Sequence, residues 1–266
     1  ITTFGKPTKD SGIKSFLSLQ AAVQALKNNK INLLVTAPIN KNNIQSEKFK
    51  FPGHTDYLAQ ELDGDSLMFM ICDELKIGLL TDHVALKEIN RHVTKQRIEQ
   101  KFSLINESLK KDFGIQKPKI AVLSIDPHAG DGGVIGKDDQ DILKPVLLEI
   151  ASKNNLVFGP FSSDSFFGSG QHKKYDAVLA IYHDQGLIPF KTLSFGSGVN
   201  YTAGLNKVRT SPDHGTGYDI AGKGLADSTS FKNAIFSAIE IFKSRKLFED
   251  LNKNPLNLSN SKTGKK

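Results

Sequence analysis

Several residue types that carry specific functions are scarce or missing in this chain of 266 residues. It has one cysteine, Cys72, so no internal disulfide can form and a reducing, cytoplasmic setting is expected. It has no tryptophan, and its aromatic and basic residues do not alternate as they do along a groove for single-stranded nucleic acid. No apolar run reaches the roughly 18–20 residues of a membrane span. We therefore expect a globular protein with no membrane and no nucleic-acid partner.

The positive charge of the chain does not change that expectation. The formal net charge is +7, but four of these charges lie in an acid-free tail, at Lys253, Lys262, Lys265 and Lys266. Most of the other lysines are interleaved with Asp and Glu, which is typical of a solvated surface. Arginine is rare by comparison, with four residues in the whole sequence.

The hydrophobic pattern alternates between helical and extended periods. It predicts helices over 14–29, 94–113, 137–153 and 229–248, and buried strands over 31–38, 119–125 and 176–182. Strands of continuous apolar residues that alternate with helices predict an α/β layered fold with a largely parallel sheet.

Three histidines follow apolar strands. His83 follows IGLLTD, His128 follows IAVLSIDP and His183 follows AVLAIY. Because loops at the carboxyl ends of parallel strands meet at one edge of a sheet, the three imidazoles could hold one divalent metal. The alternative is that each histidine caps its strand or bonds a local carbonyl. His92 and His172 lack this context and are expected at the surface.

Acidic and basic residues near these loops are further candidates. Asp184, beside His183, and Asp164 could orient a metal-bound imidazole, accept a proton, or simply cap a helix. Arg209 and Lys191 are suited to a phosphate or carboxylate, since an arginine fork and a lysine point charge both bind anions. Arg209 is expected in a loop. No G-x-G-x-x-G fingerprint is present.

Longer motifs resemble a known enzyme family. The segments that carry the resemblance are TAPINK (36–41), PGHTDYLA (52–59), DPHAGDGG (126–133), YHDQGLIPFK (182–191), GVNYTAGL (198–205) and RTSPDHGTGYDIAGKG (209–224). Together they are similar to the 4-hydroxythreonine-4-phosphate dehydrogenases of vitamin B6 biosynthesis, from about residue 5 to 248. The last segment also resembles the adenosine-binding loop of isocitrate and isopropylmalate dehydrogenases, which bind nicotinamide cofactors without a Rossmann fold.

The resemblance implies a role for each matching residue. It implies that His83, His128 and His183 bind a divalent metal (zinc, magnesium or cobalt), and that His54, Thr55, Lys191, Asn200 and Arg209 bind a phosphorylated substrate. Asp219, with Gly215 and Gly222, would bind NAD or NADP. Asp184 is the first candidate for proton acceptor, with Asp164 and Lys191 behind it.

The resemblance also implies an architecture. Residues 1–248 would form a single catalytic unit of two interleaved lobes with an active-site cleft, and 249–266 a flexible tail. The family forms homodimers with the metal site shared across the interface, so His183 could serve the partner's site. The family's opening strand and its Gly/Pro-rich turn have no match upstream of TAPINK, so we expect the sequence to lack that segment.

The implied reaction is oxidation of the substrate's C3 hydroxyl by NAD(P), followed by decarboxylation to 3-amino-2-oxopropyl phosphate. One alternative is a sister dehydrogenase that acts on threonate or erythronate 4-phosphate. A second alternative is a metal-dependent hydrolase, since three histidines and an acid could activate water. A third, a basic binding module without catalysis, is disfavoured by the distribution of charge.

Overall fold

The computed structural model describes residues 3–62 and 64–254, in which helices cover both faces of an eight-stranded sheet. The strands are β1 (Leu33–Val35), β2 (Leu67–Ile71), β3 (Lys76–Leu79), β4 (Lys119–Leu123), β5 (Leu156–Phe161), β6 (Ala177–Ala180), β7 (Val199–Ala203) and β8 (Val208–Pro212). The α-helices are α1 (Lys9–Lys27), α2 (His54–Glu61), α3 (Ile89–His92), α4 (Lys95–Lys111), α5 (Lys144–Ser152), α6 (Ser163–Gly168), α7 (His183–Ser194) and α8 (Thr229–Leu251).

The sheet has the strand order β1-β8-β7-β2-β3-β6-β4-β5. Its pairs are parallel at both ends, where β1 pairs with β8 and where β3, β6, β4 and β5 pair in turn. The pairs β8–β7, β7–β2 and β2–β3 are antiparallel. The α/β class and the mostly parallel sheet are therefore confirmed. The antiparallel centre was not predicted, because β7 and β8 contain Asn, Thr, Ser and Pro in place of a continuous apolar run.

The predicted elements are present, with shifted ends. Helix α1 begins earlier than expected because Thr8 caps it: the Ser11 amide donates to Thr8 Oγ1 (3.2 Å) and the Thr8 amide donates to Ser11 Oγ (3.1 Å). The helix predicted over 137–153 starts with a π-helical turn, Asp139–Leu143, before α5. Strand β1 was expected to be buried, but its three residues are only half-buried.

Alternating side chains of the central strands fill two cores. In β4, Ile120 and Val122 pack with α4, α5 and α8, whereas Ala121 and Leu123 pack on the opposite face with α6 and α7. Such strands are apolar at every position because both of their faces are covered. A third cluster joins α1 and α2 through side chains that include Phe16.

His172 was expected at the surface, but it is 4% exposed and packs against the Phe167 ring. It is buried because the short helical turn Gln171–Lys174 packs against α6. Helix α8 continues to Leu251, so the predicted tail begins later than 249, and 255–266 lie outside the described residues. The two interleaved lobes remain a prediction. Within the described ranges, no helix combines the length and apolarity that crossing a bilayer requires.

A buried ionic network connects α4, α8 and β7. Arg245 Nε donates to Asp112 Oδ1 (2.9 Å), and Arg245 Nη2 donates to the Tyr201 hydroxyl (2.8 Å). That hydroxyl donates to Asp112 Oδ2 at 2.6 Å, and all three residues are buried. The network therefore holds both helices against the centre of the sheet.

Removal of Asp112 is expected to destabilise the fold strongly. An Asp112→Ala change leaves the Arg245 guanidinium buried without its counter-ion, which costs about 3–5 kcal/mol of unfolding free energy. Urea unfolding followed by circular dichroism measures this loss. The control is Asp250→Asn, which removes an exposed ion pair with Lys253 and should leave the unfolding midpoint unchanged. Equal midpoints for Asp112→Ala and the parent chain would contradict the assigned role.

Candidate active site

A buried arginine defines one end of the candidate site. Arg209 lies in strand β8, not in the predicted loop, and is 2% exposed. Its Nε and Nη2 donate to Thr36 Oγ1 (3.2 and 2.6 Å), and its Nη1 donates to Thr202 Oγ1 (3.1 Å). Burial lowers the pKa of Arg209 to about 9, because the charged guanidinium has lost its water.

The sheet fixes this arrangement. Strand β8 lies between β1 and β7, so Thr36, just past the end of β1, and Thr202, in β7, lie on either side of Arg209. In the described part of the chain, no carboxylate forms an ion pair with Arg209. Three of its five N–H groups are used, which leaves one on Nη1 and one on Nη2. A pair of N–H groups on one guanidinium matches an oxyanion.

Asn200 and His54 add polar atoms near this arginine. Asn200 is two residues from Thr202 in β7 and therefore points to the same face. Its Oδ1 atom is buried and has no hydrogen-bond partner. His54 begins α2, and burial, followed by the charges of Arg209 and Lys41, lowers its pKa to about 3, so its imidazole is neutral at pH 7. Thr55 follows it and is half-buried.

Two of the three predicted metal ligands lie together. Strands β3, β4 and β6 run parallel, so the segments that bear the three histidines leave the same edge of the sheet, with His183 at the start of α7. The rings of His83 and His183 lie 5.8 Å apart, centroid to centroid. His183 Nδ1 lies 2.7 Å from Asp184 Oδ1, so a carboxylate holds the ring and leaves Nε2 available. Partial burial, then the nearby Lys41 charge, lowers the pKa of His83.

The third histidine, His128, is held apart from this pair. It lies in a helical turn after β4, in a left-handed conformation with φ of 54°. It borders a cavity of about 330 Å³ whose wall includes Asp164, Tyr182 and Gln185. In residues 3–62 and 64–254, no three His, Cys, Asp or Glu side chains group as a metal site would require. A single chain therefore presents two of the predicted ligands together, and the three-histidine site remains a prediction.

The three candidates for proton acceptor occupy different surroundings. Asp184 is engaged with His183, as described, while Asp164 accepts from Ser162 Oγ (2.6 Å) on the His128 side. Lys191, in α7, lies 3.2 Å from Asp213 Oδ1 and is about half exposed. Of these groups, Asp184 is the one that contacts a predicted metal ligand, and orienting that ligand is one of the three roles that its position in the sequence allowed.

The predicted cofactor segment follows β8. Gly215, Asp219 and Gly222 are all exposed, and Gly222 takes a positive φ of 78°. An extra Cβ on Gly222 would lie 3.6 Å from the Phe4 ring, so the beginning of the described chain packs beside this segment. The structure therefore leaves these three residues open to a ligand, and their role remains a prediction.

Sequence reasoning missed several residues of the site. Thr36 and Lys41 both belong to the TAPINK motif, and Thr202 belongs to GVNYTAGL, so the resemblance could have indicated them. Lys41 Nζ lies 3.3 Å from His83 Nε2, a contact across 42 positions of the chain. Only the fold brings those two side chains together.

The described part of the chain thus combines a layered α/β fold, a buried arginine without a carboxylate partner and a pair of neighbouring imidazoles. A sequence model described as "Pyridoxal phosphate biosynthetic protein PdxA" matches residues 1–238. The chain is 47% identical over 255 residues to the 4-hydroxythreonine-4-phosphate dehydrogenase of Bacteroides thetaiotaomicron, covering 95% of this chain and 70% of that protein. The chain belongs to the PdxA family.

Solved structures agree with this assignment. The crystal structure of 4-hydroxythreonine-4-phosphate dehydrogenase from Klebsiella pneumoniae matches with a TM-score of 0.78 and 34% identity, over 90% of this chain and 73% of that one. A terephthalate 1,2-cis-dihydrodiol dehydrogenase from Burkholderia xenovorans matches with a TM-score of 0.65 and 26% identity, over 90% and 76%. The hydrolase alternative receives no support, since these relatives are named as dehydrogenases.

Proposed function

We propose that this chain oxidises 4-hydroxy-L-threonine phosphate with NAD or NADP and decarboxylates the product to 3-amino-2-oxopropyl phosphate, a step of pyridoxal phosphate biosynthesis. The observation that carries the proposal is the buried guanidinium of Arg209, which has no carboxylate partner among the described residues, in a chain whose relatives bear the name of that dehydrogenase. A buried arginine without a carboxylate partner is costly unless a ligand supplies the negative charge. The phosphate of the substrate would supply it.

The chain's own residues account for substrate binding. The free N–H groups of Arg209 and the Nδ2 amide of Asn200 would donate to the phosphate, together with His54 and Thr55 at the start of α2. His54 is neutral, so it donates one N–H without adding charge. Lys191 would add an ammonium at the edge of the site and could protonate the carbon from which carbon dioxide leaves. Such positioning supplies several kcal/mol of the barrier reduction.

The histidine pair suits a divalent ion. His83 and His183 offer two imidazoles that face each other, and Asp184 fixes the second ring, as is usual for metal-bound histidine. A bound ion would place positive charge beside the substrate hydroxyl and lower its pKa. We propose that Asp184 acts by orienting His183. Zinc, magnesium and cobalt are the candidate ions, and imidazole favours zinc or cobalt over magnesium.

The remaining ligand would come from a second copy of the chain. Exposed apolar side chains lie on the same two segments as His183 and His128: Ile188 (66% exposed) and Phe195 (89%) on one, Val134 (83%) on the other. Burial of these side chains would favour a homodimer. Because His83 and His183 already lie together, the geometry favours His128 as the ligand donated by the partner.

Mixed dimers test the shared site. If His83 and His183 belong to one chain and His128 to the other, mixing equal amounts of His83→Ala and His128→Ala chains should restore about a quarter of the parent activity, because about half of the dimers are heterodimers and each has one intact site of two. Mixing His83→Ala with His183→Ala should restore none. Recovery only in the second mixture would instead assign His183 to the partner's site, and recovery in neither would contradict sharing.

Substrate assays test the proposed reaction. The chain should reduce NAD or NADP and release carbon dioxide with 4-hydroxy-L-threonine phosphate, at a higher kcat/KM than with threonate or erythronate 4-phosphate. A higher kcat/KM for either sugar acid would support the sister dehydrogenase. Turnover of neither substrate type, under conditions where metal and nicotinamide bind, would refute the proposal.

The preference between the two coenzymes should depend on Asp219. A carboxylate that accepts hydrogen bonds from the adenosine ribose favours NAD and repels the 2′-phosphate of NADP. Asp219→Ser is therefore expected to raise the KM for NAD about tenfold, the loss of one charge-assisted hydrogen bond, and to raise that for NADP less or lower it. Asp227→Ser, at an exposed acid beyond the segment, is the control. Unchanged KM values for both coenzymes would remove Asp219 from the cofactor site.

A further inference from the structure

Lys41 places a positive charge between the two ends of the site, and the reaction described above gives it no role. Its Nζ atom lies 3.3 Å from Nε2 of His83. A Cβ added to Gly53, the residue before His54, would lie 3.8 Å from Lys41 Cε, so the same side chain also passes the start of α2. The side chain is exposed, and among the described residues it forms no ion pair with a carboxylate. Lys41 is thus a cation that reaches both the phosphate end and the metal end.

The contact with His83 blocks a metal ligand. An ammonium has three donors and no acceptor, so the contact requires His83 Nε2 to offer its lone pair. A divalent ion needs the same lone pair, at about 2.0–2.1 Å from the nitrogen. The ammonium and the ion cannot both occupy that position. Metal binding at His83 therefore requires Lys41 to move away.

An anion in the pocket gives Lys41 another partner. The side chain of Lys41 is long and flexible, and it is not buried. A tetrahedral oxyanion held by Arg209 has further oxygen atoms, and an ammonium binds such atoms as a point charge. We propose that Lys41 couples the two ligands: in the empty site it competes with a divalent ion for His83, and on anion binding it transfers to the oxyanion and releases His83.

This coupling would favour binding of the metal ion after the oxyanion has bound. It rests on the proposed function. Because linkage is reciprocal, the oxyanion raises the affinity for the metal by the same factor as the metal raises the affinity for the oxyanion. An anion and a cation also attract directly, so some coupling exists without Lys41. Removal of the Lys41 ammonium should abolish only the contribution that Lys41 makes to the coupling between metal and oxyanion.

Cobalt titrations with and without sulfate measure the coupling. Co²⁺ is followed by its visible absorption in the 266-residue chain, and sulfate serves as a soluble tetrahedral oxyanion. Without sulfate, Lys41→Met is expected to bind Co²⁺ about tenfold more tightly than the parent chain, because the competing charge is gone. Sulfate should raise the Co²⁺ affinity of the parent chain. In Lys41→Met, sulfate should raise the Co²⁺ affinity by a factor that is at least threefold smaller.

The variant should also bind sulfate more weakly in the absence of metal, since one cation has been removed from the pocket. Lys48→Met, at an exposed lysine of the same connecting segment, is the matched control and should behave as the parent chain. Thermal unfolding of each variant checks that the fold is retained.

Two results would overturn the inference, and they are distinguishable. Equal Co²⁺ affinities and equal sulfate effects in the parent chain and in Lys41→Met would refute the role of Lys41 and leave the proposed function intact. A parent chain that binds neither Co²⁺ nor sulfate would refute both. Tighter Co²⁺ binding with a reduced sulfate effect, seen in Lys41→Met and absent in Lys48→Met, supports the coupling.

Discussion

Replacement of Arg209 with methionine is expected to lower kcat/KM by about 10²–10⁴-fold. The phosphate would lose two charge-assisted hydrogen bonds, each worth about 1.5–3 kcal/mol. Steady-state kinetics with 4-hydroxy-L-threonine phosphate measure the loss. Arg209→Lys should recover only a small part of it, because a point charge does not replace a planar fork. Arg91→Met, at an arginine whose side chain is 79% exposed, is the control and should leave kcat/KM unchanged.

The effect of Arg209→Met on stability distinguishes a role of Arg209 in ligand binding from a role in folding. Burial holds the pKa of Arg209 at about 9, so keeping the guanidinium charged inside the sheet costs free energy. Methionine removes that cost, although the hydroxyls of Thr36 and Thr202 lose their donors. We expect a melting temperature equal to or above that of the parent chain. A clear fall in melting temperature would show that Arg209 serves the fold instead of the ligand.

Substitution of His183 by alanine is expected to abolish turnover and to weaken divalent-metal binding by more than about 100-fold. Loss of an orienting partner typically costs 10–100-fold in metal affinity, and loss of the ligand itself should exceed that range. Asp184→Asn should therefore give an intermediate effect of about tenfold, since its carboxylate holds the His183 ring. Isothermal titration with Zn²⁺ or Co²⁺ measures both variants.

His92→Ala is the matched control for that experiment. His92 is half-buried at the end of α3, where its Nδ1 atom lies 2.8 Å from Arg97 Nη1, and it is not one of the candidate ligands. This variant should bind the metal as the parent chain does. A Co²⁺ affinity for His183→Ala within twofold of the parent value would remove His183 from the metal site and, with it, the proposed route for activating the hydroxyl.

The positions of the site residues in the fold were only partly predictable. The pattern of strand followed by histidine places His83, His128 and His183 just past the carboxyl ends of parallel strands at one edge of the sheet, although His183 begins α7 and does not lie in a loop. The same pattern could not find β7 and β8. Their polar residues, Asn200 and Arg209 among them, are the ones we propose to bind the substrate, and with these residues the strands lack the apolar periodicity by which a buried strand is recognised.

The sequence by itself determined the layered α/β class, the family motifs and the scarcity of arginine that made Arg209 a candidate. Each of these is a local property, visible in spacing and residue type. The tertiary structure alone decided that Arg209 is buried between two threonines, that His83 faces His183 while His128 lies apart, and that Lys41 contacts His83. Except for the contact of Arg209 with Thr202, these contacts join residues 42 to 173 positions apart, and their distances depend on strand order and register, which no local pattern encodes.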